Sequence, residues 1–320
     1  METTIERFLT AKQAENGSPC TIRAYRSDLF ELMQFIGPHQ GPRQLSREII
    51  RGFLAFLHHR GVAKTTIGRK LGAIRSFTKW LCEERILSDD VSDRIDALQG
   101  PRLPHTLPNV PSIEEMATLL DGDFPTAFPE RDRLILELLY GAGLRVAEVV
   151  GISLDDLRPE QSAILIHGKG KKDRLVPFNP HSAAALAVYT KKRRRMVRRG
   201  KIKSRALLLS VSPNSCMAER NGKALDVRSV RRMLNQVTKA RGLQRMHPHL
   251  LRHACATHLL ENRCPLEVIS QLLGHANLDT TAQYAQVSTR LMLSAYKAAH
   301  PHAQHQTPAA PARLRILFAP

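Results

Sequence analysis

The chain has 320 residues, 42% of them apolar, and carries 48 lysines and arginines against 29 acids, a net charge of +19. That size accommodates two ordinary domains with proper cores and excludes a largely disordered chain. No apolar run approaches the roughly 20 residues of a spanning helix, so a membrane partner is not expected; the charge excess points to a polyanion instead. The opening METTIERFLT places two acids early and lacks an apolar core, which argues against a secretory leader and for a cytoplasmic protein. Five scattered cysteines without a CxxC pair fit reduced thiols, with Cys255 and Cys264 as buried filler.

In chain order, a short helix is predicted over 2–16. Ser18-Pro19 then starts a clearer one, with Ser as cap, Pro in the first turn, and the stripe Ile22, Tyr25, Leu29, Leu32, Ile36. Ser46 caps a third, with Ile49, Phe53, Phe56 and Leu57 inward and an end at Gly61. A fourth runs from about Lys64 to Glu84; Ile67, Leu71, Ile74, Phe77 and Leu81 form its apolar stripe, and Arg69, Lys79 and, on the flank, Arg75 point away. The expectation is a four-helix, nucleic-acid-binding domain over 1–98 that uses this basic face on phosphates. A plain solvated surface is the alternative for each of the three. Residues 99–111, with four prolines and no periodicity, read as a linker.

A capping box, Ser112 with Glu115, opens a second domain expected over 112–300. A helix around Arg131–Tyr140 follows, then a Gly-Ala-Gly break and the helical stretch GLRVAEVVG, which Arg145 opens and in which Glu148 is placed to orient that arginine. Strands Ala163–His167 and Arg174–Phe178 flank a Gly- and Lys-rich turn as a β-hairpin. Next come a helix near 180–199 ending in the basic block KKRRRMVRR, an apolar strand Ala206–Leu209 that is a candidate to join the small sheet, and a basic helix from an Asp226 cap to about Ala240. Residues 301–320 read as a flexible tail.

The densest chemistry lies in 247–284. His249 and Arg252, three apart, share a helix face; His275 follows a glycine-marked helix end, LLGH; Tyr284 comes nine residues later in DTTAQY, where Asp279 or Thr280 is a candidate cap. A phosphodiester under attack spreads charge over oxygens that arginine forks match. Arg145 and Arg252 are the candidates. Tyrosine, with a reference pKa of about 10, needs a cationic pocket and a base to act as nucleophile. A hairpin lysine can protonate the leaving 5′-oxygen. On spacing alone Lys169, Lys171 and Lys172 all qualify; the Gly-Lys-Gly context favours Lys169. His249 and His253 sit i, i+4 with His258 near, a spacing that raises zinc. Yet Leu250 stands where a metalloprotease helix has Glu, and no third ligand is evident, so no metal is expected.

The order GLRxxE, GKG in a hairpin, HxLRH, LGH, then Tyr resembles the tyrosine recombinase (phage integrase) family at Arg145, Lys169, His249, Arg252, His275 and Tyr284, with spacings similar to its Xer-type branch. The resemblance implies a mainly α (α+β) fold: an N-terminal helical SAM-like DNA-binding domain closing one side of a clamp, and a catalytic domain with a small antiparallel sheet. It implies site-specific breakage and rejoining of double-stranded DNA through a 3′-phosphotyrosyl intermediate, with no cofactor. Arg145, Arg252 and His275 would stabilise the transition state, His249 exchange protons with Tyr284, and Lys169 act as acid. Lys171 and Arg174 join Arg69, Arg75 and Lys79 as candidate DNA contacts. A tetramer on two duplexes, built of this chain alone or with a second recombinase, would be the working form, and the helix after Tyr284, with Leu291, Leu293, Ala295 and Tyr296, is expected to dock in a neighbouring protomer rather than in its own core. The alternatives are type IB topoisomerase-like relaxation and a non-catalytic DNA-binding protein.

Overall fold

The structure, a computed structural model, describes residues 1–15, 17–37, 40–101, 110–168, 173–200, 202–210, 222–274, 294–296 and 298–304. The chain divides into two compact units, Met1–Leu107 and Pro108–Pro320.

The first unit is helical: α1 Glu2–Ala14, α2 Pro19–Ile36, α3 Arg47–His59, α4 Lys64–Glu83 and α5 Asp89–Asp96. Ser18 and Ser46 cap α2 and α3 through their side-chain oxygens, which accept from the amides of Thr21 and Ile49. On α4 the stripe Ile67, Leu71, Ile74, Phe77 and Leu81 is entirely buried; burying each such side chain is worth about 1.5–3 kcal/mol. Phe8, Phe77 and Trp80 pack as an aromatic cluster around it.

Two features depart from the sequence reading. The unit has α5 as a fifth helix, an eight-residue segment with two acids in its first turn, which burial of Ile95 fastens to the core. In α3 the inward residues are Ile50, Phe53 and Leu57, while Phe56 is 38% exposed. Adjacent apolar pairs at 49–50 and 56–57 leave the helical phase open by one residue, and Ile50 wins the core position.

The second unit is mixed. Helix α6, Ile113–Leu120, is held by the Ser112–Glu115 capping box, with the Ser112 amide donating to Glu115 at 2.8 Å. Helix α7, Pro129–Leu136, runs into a π-helical turn, Glu137–Gly141; α8 is Val146–Gly151. Three short strands, β1 Leu157–Arg158, β2 Ala163–Ile166 and β3 Arg174–Pro177, form an antiparallel sheet in chain order, with Ile164 opposite Leu157 and Val176. Helices α9 Pro180–Gly200, α10 Val227–Ala240, α11 Pro248–Glu261 and α12 Leu266–Leu273 complete the frame, and a last helical turn spans Pro301–Gln304.

Ala206–Leu209 does not join the sheet. Ala206 and Leu209 make single antiparallel bridges to Ser153 and Ala224, and Leu207, Leu208 and Leu209 are wholly buried. Burial of this apolar segment, rather than a strand ladder, accounts for its composition. Arg193, inside the basic block, is also buried: its guanidinium donates to the carbonyls of Ser204 at 2.6 Å and Ala206 at 2.8 Å. One of the densest charges on the chain is therefore a structural clamp. Among the described residues, no helix is long and apolar enough to cross a membrane.

Within the described residues 294–296 and 298–304, the chain packs on its own second unit. Tyr296 is fully buried, donates its phenol hydrogen to the Gly141 carbonyl and accepts from the Asn179 amide at 3.1 Å; Ala295 and Ala299 lie against the same core. The sequence reading docks Tyr296 in a neighbouring protomer; in this single chain its hydroxyl finds both partners within the second unit. Leu291 and Leu293 lie outside the described residues.

Candidate active site

Two chain breaks, at Gly143 and Gly274, bring the site together. The π turn ends in Gly-Ala-Gly, where Ala142 N–H donates to the Glu137 carbonyl and Leu144 N–H to that of Leu138. The wide turn frees the chain to reverse at Gly143, whose φ is +61°. A Cβ there would meet Leu273 Cδ2 at 2.7 Å and Cys255 Sγ at 3.1 Å, so only glycine brings this backbone so near α11 and α12. Arg252, on α11, takes advantage of the approach: Nη1 donates to the Gly143 carbonyl at 2.6 Å and Nη2 to the Leu273 carbonyl at 2.7 Å.

Arg145 is the N-cap of α8. Its amide and guanidinium both donate to Glu148, at 2.8 and 2.9 Å, and its guanidinium also reaches the carbonyls of Leu273 and Gly274 at 3.4 and 3.2 Å. The Glu148 reading therefore acquires contacts: the carboxylate orients Arg145. It does the same for Arg174 of β3, whose two terminal nitrogens donate to Glu148 at 3.0 and 2.9 Å while Nε donates to the Leu272 carbonyl at 3.0 Å. Although burial acts to raise the Glu148 pKa, the hydrogen bonds and charges of Arg174 and Arg145 outweigh it and hold the carboxyl below its usual range. Arg174, a candidate DNA contact from sequence, has its whole guanidinium committed inside the fold. Gly274, at φ +62°, closes α12 with its Cα packed against that guanidinium; an added Cβ would lie 3.0 Å from Arg174 Nη1.

Arginines from two helices and a strand thus converge on the C-terminal carbonyls of α12, where the helix dipole favours cations. Burial, then the neighbouring Arg145 charge, lower Arg252 to about 10, so it stays cationic at neutral pH. His249, one turn before it, has its pKa pushed down by burial and by the charges of Arg252 and other neighbours. A neutral imidazole beside two guanidinium groups can accept a proton while they hold an oxyanion. His247 caps α11 by accepting from the Leu250 amide at 3.1 Å, and His258 is buried with Nδ1 3.0 Å from the Tyr140 hydroxyl, so neither faces the arginines as a base.

The structure brings Arg145, His249, Arg252 and Arg174 together. Lys169, Lys171, Lys172, His275 and Tyr284 lie outside the described residues; β2 and β3 lead into the first three, and α12 leads directly to His275. In the first unit Arg69 pairs with Asp28, Arg75 donates to the Asp96 carbonyl at 2.8 Å and also to that of Leu98, and Lys79 is exposed. The carbonyls of Gly143, Leu272 and Leu273 were not legible as site atoms, since backbone carries no residue signal; the Gly-Ala-Gly break was the one hint.

Residues 112–290 match the phage integrase family, and residues 5–85 match its N-terminal SAM-like domain. The tyrosine recombinase XerC of Syntrophus aciditrophicus is 36% identical over 300 residues, covering 90% of this chain and 94% of its own. Among solved structures, the XerH site-specific recombinase bound to difH substrate aligns with a TM-score of 0.63 and 20% identity, over 89% of this chain and 81% of its own. A lambda integrase tetramer bound to a Holliday junction aligns with a TM-score of 0.63 and 15% identity, over 89% and 79%. The paired arginines, the histidine beside them and these matches lead to one conclusion: the chain belongs to the phage integrase family of tyrosine recombinases.

Proposed function

We propose that this chain, a site-specific tyrosine recombinase, cuts and rejoins duplex DNA by attack of Tyr284 on the scissile phosphate, giving a 3′-phosphotyrosyl bond and a free 5′-hydroxyl. The observation that carries the nucleophile is the fate of the other tyrosines among the five in the chain. Tyr140, Tyr189 and Tyr296 are buried, and burial pushes each phenol pKa up, opposite to what a nucleophile needs. Tyr25 stacks on Phe8 in the first unit. Tyr284 is what remains.

Arg145 and Arg252, with His275, hold the charge that develops on the non-bridging oxygens. His249 takes the phenol proton, and Lys169 protonates the leaving 5′-oxygen. Because the phosphodiester bond energy is kept in the phosphotyrosine, the reaction needs no nucleotide, and its charge stabilisation is supplied by side chains without metal. Residues 1–98 form a DNA-binding domain joined by a linker, 99–111, to a catalytic domain, 112–300, with 301–320 as a tail. The net charge of +19 supports a duplex as partner, and the lambda integrase tetramer on a Holliday junction supports four protomers on two duplexes. Work on chromosomal or mobile DNA supports a cytoplasmic location.

The test uses purified protein with nicked, labelled duplexes from DNA flanking its own gene, in a metal chelator. A protease-sensitive covalent complex is expected, and Tyr284→Phe should bind the duplex without forming it. An adduct that persists in Tyr284→Phe puts the nucleophile elsewhere; relaxation of any supercoiled DNA without a defined site favours the topoisomerase-like alternative.

A further inference from the structure

Glu137, His181 and His302 come from three separate parts of the chain, the π turn, the start of α9 and the last helical turn, and meet in one place. Their ligand-capable atoms all lie within 4.8 Å of one another. Glu137 is buried, 2% exposed. His302 Nε2 lies 2.9 and 3.1 Å from its two carboxylate oxygens, and the His181 ring stacks on that of His302 at 4.1 Å and 26°. Two imidazoles drawn face to face beside a buried carboxylate bring three metal-capable groups to one point. Neutral imidazoles with one carboxylate are the donor set that binds zinc with a fourth position left to water, and the same set suits other borderline divalent metals.

We propose that Glu137, His181 and His302 bind one zinc ion, which fastens the C-terminal segment onto the catalytic unit in cis. The ion touches none of the groups given a part in strand transfer. It stands at the head of the turn whose far end presents Gly143 to Arg252, and it joins that turn to a segment already anchored by Tyr296. The site thus secures the C-terminal segment against release, or against exchange onto a second copy. This inference does not depend on Tyr284 being the nucleophile.

The sequence offers a competing ligand set, His300, His302 and His305 in HPHAQH, which could take up zinc without any folded site. His181 separates the two. Full-length protein stripped of metal is titrated with zinc chloride by calorimetry, and with Co2+ to read the visible bands of the bound ion. One zinc per chain is expected, together with a Co2+ spectrum of four-coordinate type. His181→Ala and His302→Ala should each weaken binding at least about 100-fold, whereas His59→Ala, an exposed histidine of the first unit, should leave it unchanged. Zinc should also slow amide exchange over 294–304 in the unaltered protein and not in His181→Ala, a readout that holds even if one variant folds less well. Zinc binding that survives His181→Ala at full affinity assigns it to the tail histidines and overturns the proposal, as does absence of binding at micromolar zinc.

Discussion

At Arg252 burial and charge pull against each other. Arg252 is 4% exposed, and its charge would be unstable there alone; two backbone carbonyls accept hydrogen bonds from it, and it remains a cation although its pKa falls to about 10. The same crowding acts on His249 with a kinetic consequence. Its folded-state pKa lies below the ordinary 6.5 because burial and the adjacent cations disfavour imidazolium, so the basic form predominates at neutral pH. Adduct formation should rise with pH along a limb centred below 6.5, be flat near pH 7, and lose that limb in His249→Ala. A limb centred above pH 7, measured from single-turnover cleavage of a nicked duplex, would contradict this role.

At the scale of elements, the approach of the π turn to α11 and α12 decides whether the arginines meet. Gly143→Ala forces a left-handed residue to carry a Cβ, which costs about 1–2 kcal/mol, and drives that atom into Leu273. The expected result is a loss of about 2 kcal/mol or more of stability by denaturant titration, with adduct formation falling further than the stability loss explains because the Gly143 carbonyl leaves Arg252. Wild-type stability and cleavage in this variant would refute the close approach. Caps were the most legible part of the fold: Ser18, Ser46, Ser112 and Asp226 all accept from the amide three residues on, a local interaction that three adjacent positions can announce. Long-range fits were not legible. Lys70, on the α4 face, is buried because Asp28 and Glu31 of α2 reach it at 2.8 and 2.6 Å; Arg174 turned inward because Glu148 of α8 was there to receive it. Neither partner is near in sequence. The proposed order of site residues draws on short motifs, of which GLR, GKG and LGH carry a glycine, whereas the carbonyls that gather the arginines could come only from the fold.

For the whole molecule, positive charge is not one uniform coat. Part of it is spent internally, at Arg75, Arg174 and Arg193, and part is free to meet phosphates, as at Lys79. The two kinds separate by salt. Lys79→Ala should make the slope of log affinity against log salt shallower by about one on duplex DNA, with little change in stability. Arg75→Ala should leave the slope unchanged and destabilise the first unit by about 1–3 kcal/mol, since it strips donors from the Asp96 and Leu98 carbonyls. Equal slope changes in both would mean that Arg75 leaves its internal partners when DNA arrives.

The end of α12 supplies a further consequence. Leu272, Leu273 and Gly274 turn their carbonyls toward Arg174, Arg252 and Arg145, so the helix itself acts as a resident anion around which the cations are prearranged. Like charges that would otherwise spread apart are held at working distance before any substrate arrives, and a phosphate has only to displace weak carbonyl contacts of Arg145, the more exposed of the pair. The three arginines are therefore gathered at the end of this helix without any DNA to hold them.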